Sequence, residues 1–284
     1  MTDYERVLEK TEQHLIALKA AGIRFLGVQP ETLAGLHEPV ARPASLAVHQ
    51  PLAEPIRAAA RVEEAVVIAS PEGLKPAKDK EAAMRELREK AMVCQKCPHL
   101  AGSRKNVVFG VGDINAKLMF VGEAPGADED QAGEPFVGAA GQLLTRIIKA
   151  MGLSRETVYI ANILKCRPDT PGQSSGNRKP SGDEMKTCLP YLLEQIELIR
   201  PEIMVALGAT AIEGLLGKTE GIGKLRGKFQ VFRGIPLMPT FHPAYLLRNQ
   251  AMSEKRKVWE DMLQVMEKLG LGISDKQRGF FLKG

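Results

Sequence analysis

Lys117-Leu118-Met119-Phe120-Val121-Gly122-Glu123-Ala124-Pro125-Gly126 runs from a short, unbroken apolar segment straight into a polar turn marked by two glycines and a proline. An apolar run of this length, bounded by turn residues, reads as a strand buried on both faces rather than as one half-exposed face of a sheet. Three more runs of the same kind follow, at Val158 to Leu164, Ile203 to Leu207 and Ile235 to Phe241. Helical stretches fit between and after them, at Ala140 to Met151, Ser181 to Ile199, Ala209 to Leu216 and Ser253 to Leu269. Alternation of buried strands with helices predicts an α/β fold: three α/β/α layers around a central, mainly parallel four-stranded sheet. In such sheets ligands bind beyond the carboxyl ends of the strands, which is where the polar motifs of this chain fall.

Outward from this core the organisation changes. Residues 1–26 are expected to hold an amphipathic helix, with Leu8, Leu15 and Leu18 at helical spacing among charged residues. Residues 27–80 are rich in alanine and broken by Pro30, Pro39, Pro43, Pro51, Pro55, Pro71 and Pro76, the composition of a flexible linker. Helix formers resume at Glu81, so the folded domain is expected over 81–270, with 271–284 as a flexible tail. The first residues lack a signal-peptide layout and no apolar run is long enough to cross a bilayer, which predicts a soluble intracellular protein. The formal net charge of +5 is compatible with a polyanionic partner without requiring one.

The chain has four cysteines. Cys94 and Cys97 form a Cys-x2-Cys pair, and Cys166 and Cys188 follow after 68 and then 21 intervening residues. Two disulfides are too few to staple 284 residues and do not suit an intracellular protein, so a four-thiolate metal site is the better reading. Structural zinc and an iron-sulfur cluster both take four cysteines; the wide spacing of the second pair leans weakly towards the cluster. His99 lies beside this set. Two phosphate-site decoys fail. Gly217-Lys218-Thr219 lacks the glycine five positions earlier, where Ile212 stands, and Gly110-Val111-Gly112 precedes a strand instead of following one.

Five motifs, in order and at the strand ends, carry a resemblance: Gly122-Glu123-Ala124-Pro125-Gly126, Phe136-Val137-Gly138, Asn162, Lys165-Cys166-Arg167-Pro168 and His242-Pro243-Ala244-Tyr245-Leu246-Leu247-Arg248-Asn249. From about Cys94 to Leu269 the chain resembles the family 4 uracil-DNA glycosylases, the iron-sulfur branch of the uracil-DNA glycosylase superfamily. The resemblance implies a 4Fe-4S cluster on Cys94, Cys97, Cys166 and Cys188, and hydrolysis of the bond between uracil and deoxyribose in single- or double-stranded DNA. The product is an abasic site with the strand uncut, as in base excision repair. The target base must be flipped out of the duplex.

The same resemblance assigns roles. Phe136 stacks on uracil and Asn162 reads its N3–H and O4, with Gly122, Ala124 and Gly126 shaping the pocket. His242 donates to O2 as uracil leaves as an anion. Ala124 stands where another branch of the superfamily has its aspartate base, so water activation falls to a carboxylate nearby, Glu129 first and Glu123 next. Tyr245, Leu246, Leu247 and Arg248 form the loop that enters the minor groove, with Leu246 or Leu247 as wedge. Lys165 and Arg167, joined by Arg178, Lys179, Lys224, Arg226 and Lys228, are candidate DNA-backbone contacts. The segment from Arg167 to Asp183 is longer than the usual family loop, which makes it a candidate DNA-facing loop. The implied partner is uracil-containing DNA in a prokaryotic cytoplasm, at the nucleoid, with the protein acting as a monomer and away from membranes. Gln277 to Leu282 loosely resembles a sliding-clamp docking peptide. Two alternatives remain: an iron-sulfur DNA-binding or redox-responsive protein without catalysis, and a glycosylase for another deaminated base.

Overall fold

The computed structural model describes residues 77–168 and 178–282, together with the single position Gln13. The expected N-terminal helix, nearly all of the expected linker and the core of the long loop after Cys166 lie outside the described residues. Residues 77–80, expected in the linker, already belong to the first helix.

Among the described residues sixteen elements follow one another from there. They are α1 (Ala77–Met92), α2 (Pro98–Ser103), β1 (Val111–Gly112), β2 (Leu118–Gly122), α3 (Ala127–Ala132), α4 (Ala139–Ala150), β3 (Tyr159–Asn162) and α5 (Gly182–Ile199). Then come β4 (Ile203–Leu207), α6 (Ala209–Leu216), α7 (Ile222–Leu225), β5 (Gln230–Phe232), β6 (Ile235–Thr240), α8 (Pro243–Arg248), α9 (Met252–Lys268) and α10 (Asp275–Arg278).

The sheet has six strands in the order β1-β3-β2-β4-β6-β5. The four strands expected from sequence make its parallel centre. The expectation of four strands misses β1 and β5, which pair antiparallel at the two edges. These have two and three residues, too short for any periodicity to register.

Side chains alternate across each central strand and so divide between two cores. Met119, Val121, Ala161, Met204, Ala206 and Leu237 face one core with residues of α1, α5, α6 and α7. Leu118, Phe120, Ile160, Ile203, Val205 and Met238 face the other with α4 and α9. Burial on both faces is why these strands are apolar throughout. From β2 the chain passes to α4 on one face, and from β4 to α6 on the other. The carboxyl ends of these neighbouring strands therefore lie at a switch point, the place where ligands bind in sheets of this kind.

Residues 271–282 are not a loose tail. Ser274 caps α10, accepting from Gln277 N, while Gln277 Nε2 donates to Ala150 O at 2.8 Å and Trp259 Nε1 donates to Gln277 O at 2.6 Å. Phe280 packs on Trp259 with ring centroids 5.2 Å apart. The glutamine and the first aromatic of the supposed docking peptide are thus used internally, and Phe281 and Leu282 remain exposed. The alternation of polar and aromatic residues conceals this packing from a sequence reading, because the apolar partner, Trp259, comes from another helix.

Candidate active site and thiol site

Gly122 ends β2 directly opposite Asn162 at the end of β3. A Cβ at Gly122 would lie 2.4 Å from Asn162 Oδ1 and 2.5 Å from the Phe136 ring, so only glycine lets the amide and the aromatic edge meet there. Asn162 is 2% exposed, and its Oδ1 is a buried acceptor without a hydrogen-bond partner among the described residues. A buried carbonyl oxygen left unpaired is costly, and a ligand N–H is one way to satisfy it.

Phe136 is held in a left-handed conformation, φ +56°, rare for an aromatic residue. Its ring lies 5.6 Å from the imidazole of His242 and tilts by 32° against it. The aromatic ring, the side-chain amide and the imidazole therefore lie close together beyond the strand ends.

His242 follows β6 and is the N-cap of α8: its Nδ1 accepts from Ala244 N at 3.2 Å. An acceptor Nδ1 fixes the tautomer with hydrogen on Nε2, so the neutral ring offers one donor. Burial, aided by the nearby Arg248 guanidinium, holds the imidazole pKa down to about 4; Glu129 opposes the shift. Gly208, after β4, permits the approach: a Cβ there would lie 3.1 Å from His242 Cβ.

Glu129, the first choice from sequence for activating water, is engaged by backbone amides. Glu129 Oε2 accepts from Gly126 N, and Oε1 accepts from both Val137 N and Gly138 N, each at 3.0 Å. Its carboxylate fastens the turn after β2 to the loop that carries Phe136, which leaves it poorly placed to take a proton from water. Asp130 is buried and accepts from Lys105 N and Asn106 N. Glu123 differs: it is half-buried, and its carboxylate has no hydrogen-bond or ion-pair partner among the described residues. The second choice from sequence is thus the carboxylate that remains available. Ala124 is half-buried beside it, and Gly126 supplies the amide that Glu129 accepts.

Lys165 requires a larger correction. It is 2% exposed, and Nζ donates to Asn162 O at 3.0 Å and to Gln195 Oε1 at 2.6 Å. Burial pushes its pKa down to about 7. It cannot reach a DNA phosphate; it braces the strand end that presents Asn162. Gln195, fully buried, in turn donates to Phe109 O and Tyr159 Oη. A lysine beside a cysteine in a basic motif reads as surface charge, and nothing in the sequence indicates its buried partner 30 residues away.

On α8, Leu246 is 5% exposed and Leu247 is 36% exposed, so Leu246 belongs to the core and Leu247 alone is presented outward. Arg248 is exposed beside it. Tyr245 is half-buried, its hydroxyl donating to Glu254 Oε2 and accepting from Asn249 Nδ2. Among the basic candidates, Lys224 and Lys228 are exposed, Lys179 pairs with Glu213, and Arg178 pairs with Glu184. Arg226 pairs with the buried Asp261. Arg167 is half-buried.

Cys94, Cys97, Cys166 and Cys188 ring one small cavity together with Leu100, Arg104, Leu164 and Tyr191. Arg104 Nη1 donates to Cys166 Sγ at 3.1 Å and Nη2 to Cys94 O at 2.7 Å. Lys165 N donates to Cys188 Sγ at 3.2 Å. Donors aimed at sulfur suit thiolates bound to a metal. Burial pushes the thiols of Cys97 and Cys166 up, and that of Cys188 up to about 11, so a cation has to drive their ionisation. Among the described residues no three His, Cys, Asp or Glu side chains converge tightly enough to hold one ion. What the four thiols share is the one cavity, with donors aimed at the sulfurs of Cys166 and Cys188. His99 stands aside, bonded to Glu184 Oε1 at 2.6 Å.

A family model, the uracil DNA glycosylase superfamily, matches residues 109–263. A type-4 uracil-DNA glycosylase of Thermotoga maritima is 45% identical over 186 residues, covering 64% of this chain and 93% of the relative. Type-4 enzymes of Saccharolobus solfataricus and Pyrobaculum aerophilum are 46% and 44% identical, covering 62% and 60% of this chain and 82% and 87% of their own lengths. These matches and the arrangement around Gly122 agree, and the chain belongs to the uracil-DNA glycosylase superfamily, within it to the type-4 uracil-DNA glycosylases.

Proposed function

We propose that the chain excises uracil from DNA by hydrolysing its N-glycosidic bond, leaving an abasic site and an intact strand. The observation that carries this reading is the buried, unpartnered Oδ1 of Asn162 beside the Phe136 ring. A flipped uracil offers N3–H to that oxygen and O4 to the amide NH2, whereas cytosine has an acceptor at N3 and a donor at C4. The polarity of the site thus favours uracil over its parent base.

Bond breaking puts negative charge on uracil O2 and positive charge on the sugar. Neutral His242 donates from Nε2 to O2, and a donor that need not lose its proton suits a leaving anion. Glu123 is the carboxylate for orienting water and offsetting the sugar cation, since Glu129 is occupied by three amides. Leu247 is the wedge that fills the gap in the duplex, with Arg248 and the exposed Lys224 and Lys228 on the DNA backbone. The relatives' bacterial and archaeal sources agree with a prokaryotic cytoplasmic setting. Among the described residues no helix is long and apolar enough to cross a membrane.

The four cysteines hold a 4Fe-4S cluster on this reading. When bound, the cluster supplies a rigid cross-link between the loop after α1, the loop after β3 and α5. Arg104 ties the Cys94 and Cys166 segments together, and Lys165, bonded to both Cys188 Sγ and Asn162 O, links the site to Asn162.

Uracil release from a labelled oligonucleotide with one uracil, beside a matched thymine strand, tests the function. Alkali-sensitive breaks in the uracil strand alone support it. No release from protein with about four irons per chain sinks it.

A further inference from the structure

Phe136 sits in a strained backbone conformation, and Arg155, Glu129 and Gly141 hold it there. We infer that Arg155, which the sequence motifs leave unassigned, is a positioning residue that sets the stacking wall for uracil. The inference rests on the uracil reading above.

Arg155 lies in the turn between α4 and β3. Nη1 donates to Phe136 O at 3.0 Å and Nη2 donates to Pro135 O at 2.8 Å, so one guanidinium grips two successive carbonyls. On the other side of Phe136, Glu129 accepts from Val137 N and Gly138 N. A cation on the carbonyls and an anion on the amides thus clamp the peptide from both ends. Beneath it, Gly141 of α4 comes so close that a Cβ would lie 1.8 Å from Phe136 O, which closes off a retreat of the loop. A left-handed aromatic persists only where its surroundings over-determine it, and such residues gather at ligand sites.

The location of Arg155 adds a second consequence. It precedes β3 by four residues, and the far end of β3 carries Asn162. The guanidinium therefore joins the segment bearing the stacking ring to the strand bearing the edge reader. Wall and reader are fixed relative to one another, as uracil requires in order to meet both. The planar fork is needed for this: a lysine at 155 reaches one carbonyl and leaves the other unpaired.

The test compares Arg155→Met, Arg155→Lys and Phe136→Ala singly, and Arg155→Met with Phe136→Ala together. Each variant is measured for uracil release, for inhibition by free uracil and for the fraction of active sites. Arg155→Met is expected to raise KM and lower kcat/KM about 10- to 100-fold, the usual result of misplacing a positioning group by about 1 Å. Free uracil should inhibit more weakly in parallel, and Arg155→Lys should recover part of the loss. In the Phe136→Ala background Arg155→Met should change kcat/KM by less than about twofold, because coupled residues are not additive. Equal losses in both backgrounds, or a loss that follows only the active fraction, overturn the positioning role and leave Arg155 a structural residue. A wild-type chain that releases uracil while Arg155→Met matches it overturns this inference alone. A wild-type chain that releases none overturns it together with the uracil reading.

Discussion

His242 has two jobs that a pair of substitutions can separate. Its Nδ1 caps α8 through Ala244 N, which leaves Nε2–H as the donor of the neutral ring. His242→Ala removes both; His242→Ser keeps a capping oxygen but has no donor with the reach of Nε2. A cap is worth about 1 kcal/mol, or about 2–4 °C in Tm for a domain of this size. Loss of one donor to a developing anion typically costs about 10²–10³ in kcat, or about 3–4 kcal/mol. The Ser variant should therefore melt near the wild type and the Ala variant slightly below it, while both lose about 10²–10³ in single-turnover uracil release. A Ser variant with near-wild-type release would refute the donor role. The pH profile gives an independent check. With the folded pKa at about 4, the neutral donor persists through the range of ordinary assays, so log kcat should show no inflection near 6.5. The linked stability has a definite sign. Because the folded pKa lies below the unfolded value, the contribution is fully present above about 6.5. It is lost as pH falls from there towards 4, by at most about 3 kcal/mol. Asp261, raised to about 6 by burial, acts in the opposite sense: its contribution is present below its unfolded value of 3.8 and lost as pH rises through 6. Asp261→Asn should therefore steepen the acid loss in a thermal-melt series.

Glu123→Gln should lower single-turnover release by about 10² or more with Tm unchanged, as expected for a group acting on water. Glu129→Gln should lower Tm as well, since it weakens three amide contacts; the reverse pattern would return the water role to Glu129. Leu246→Ala should cost about 2–5 kcal/mol of stability in a denaturant titration, as a buried leucine does. Leu247→Ala should leave stability within about 0.5 kcal/mol and reduce excision from duplex more than from single strands. Lys165→Met should leave Gln195 Oε1 and Asn162 O without their donor and slow uracil release; iron analysis and visible absorbance show whether the thiol site is kept, and unchanged release with full iron would remove the bracing role.

The strands at 118–122, 159–162, 203–207 and 235–240 were legible because burial on both faces writes itself into a continuous apolar run. The edge strands at 111–112 and 230–232 were not, because two or three residues carry no period. Among site residues, those tied to a strand end and a turn, such as Gly122, Asn162 and His242, are found close together. Charged residues were misread more often. Glu129 and Lys165 look like a water-activating carboxylate and a phosphate contact, yet Glu129 spends its hydrogen bonds on backbone amides and Lys165 on a backbone carbonyl and the buried Gln195 amide. Arg155 and Arg104 were missed for the same reason: their partners lie 10 to 62 residues away and are mostly carbonyls, which have no residue identity to read.

The linear chain by itself determined the layer order, the four central strands, the cysteine set and the family motifs, because apolar runs, turn residues and fixed spacings are local properties. Tertiary structure decided which carboxylate is free, which leucine faces outward, which lysine is buried, and how Phe136 is held in a strained pose. Each of these depends on neighbours distant in sequence, and a side chain's chemistry is set by the partners that burial gives it.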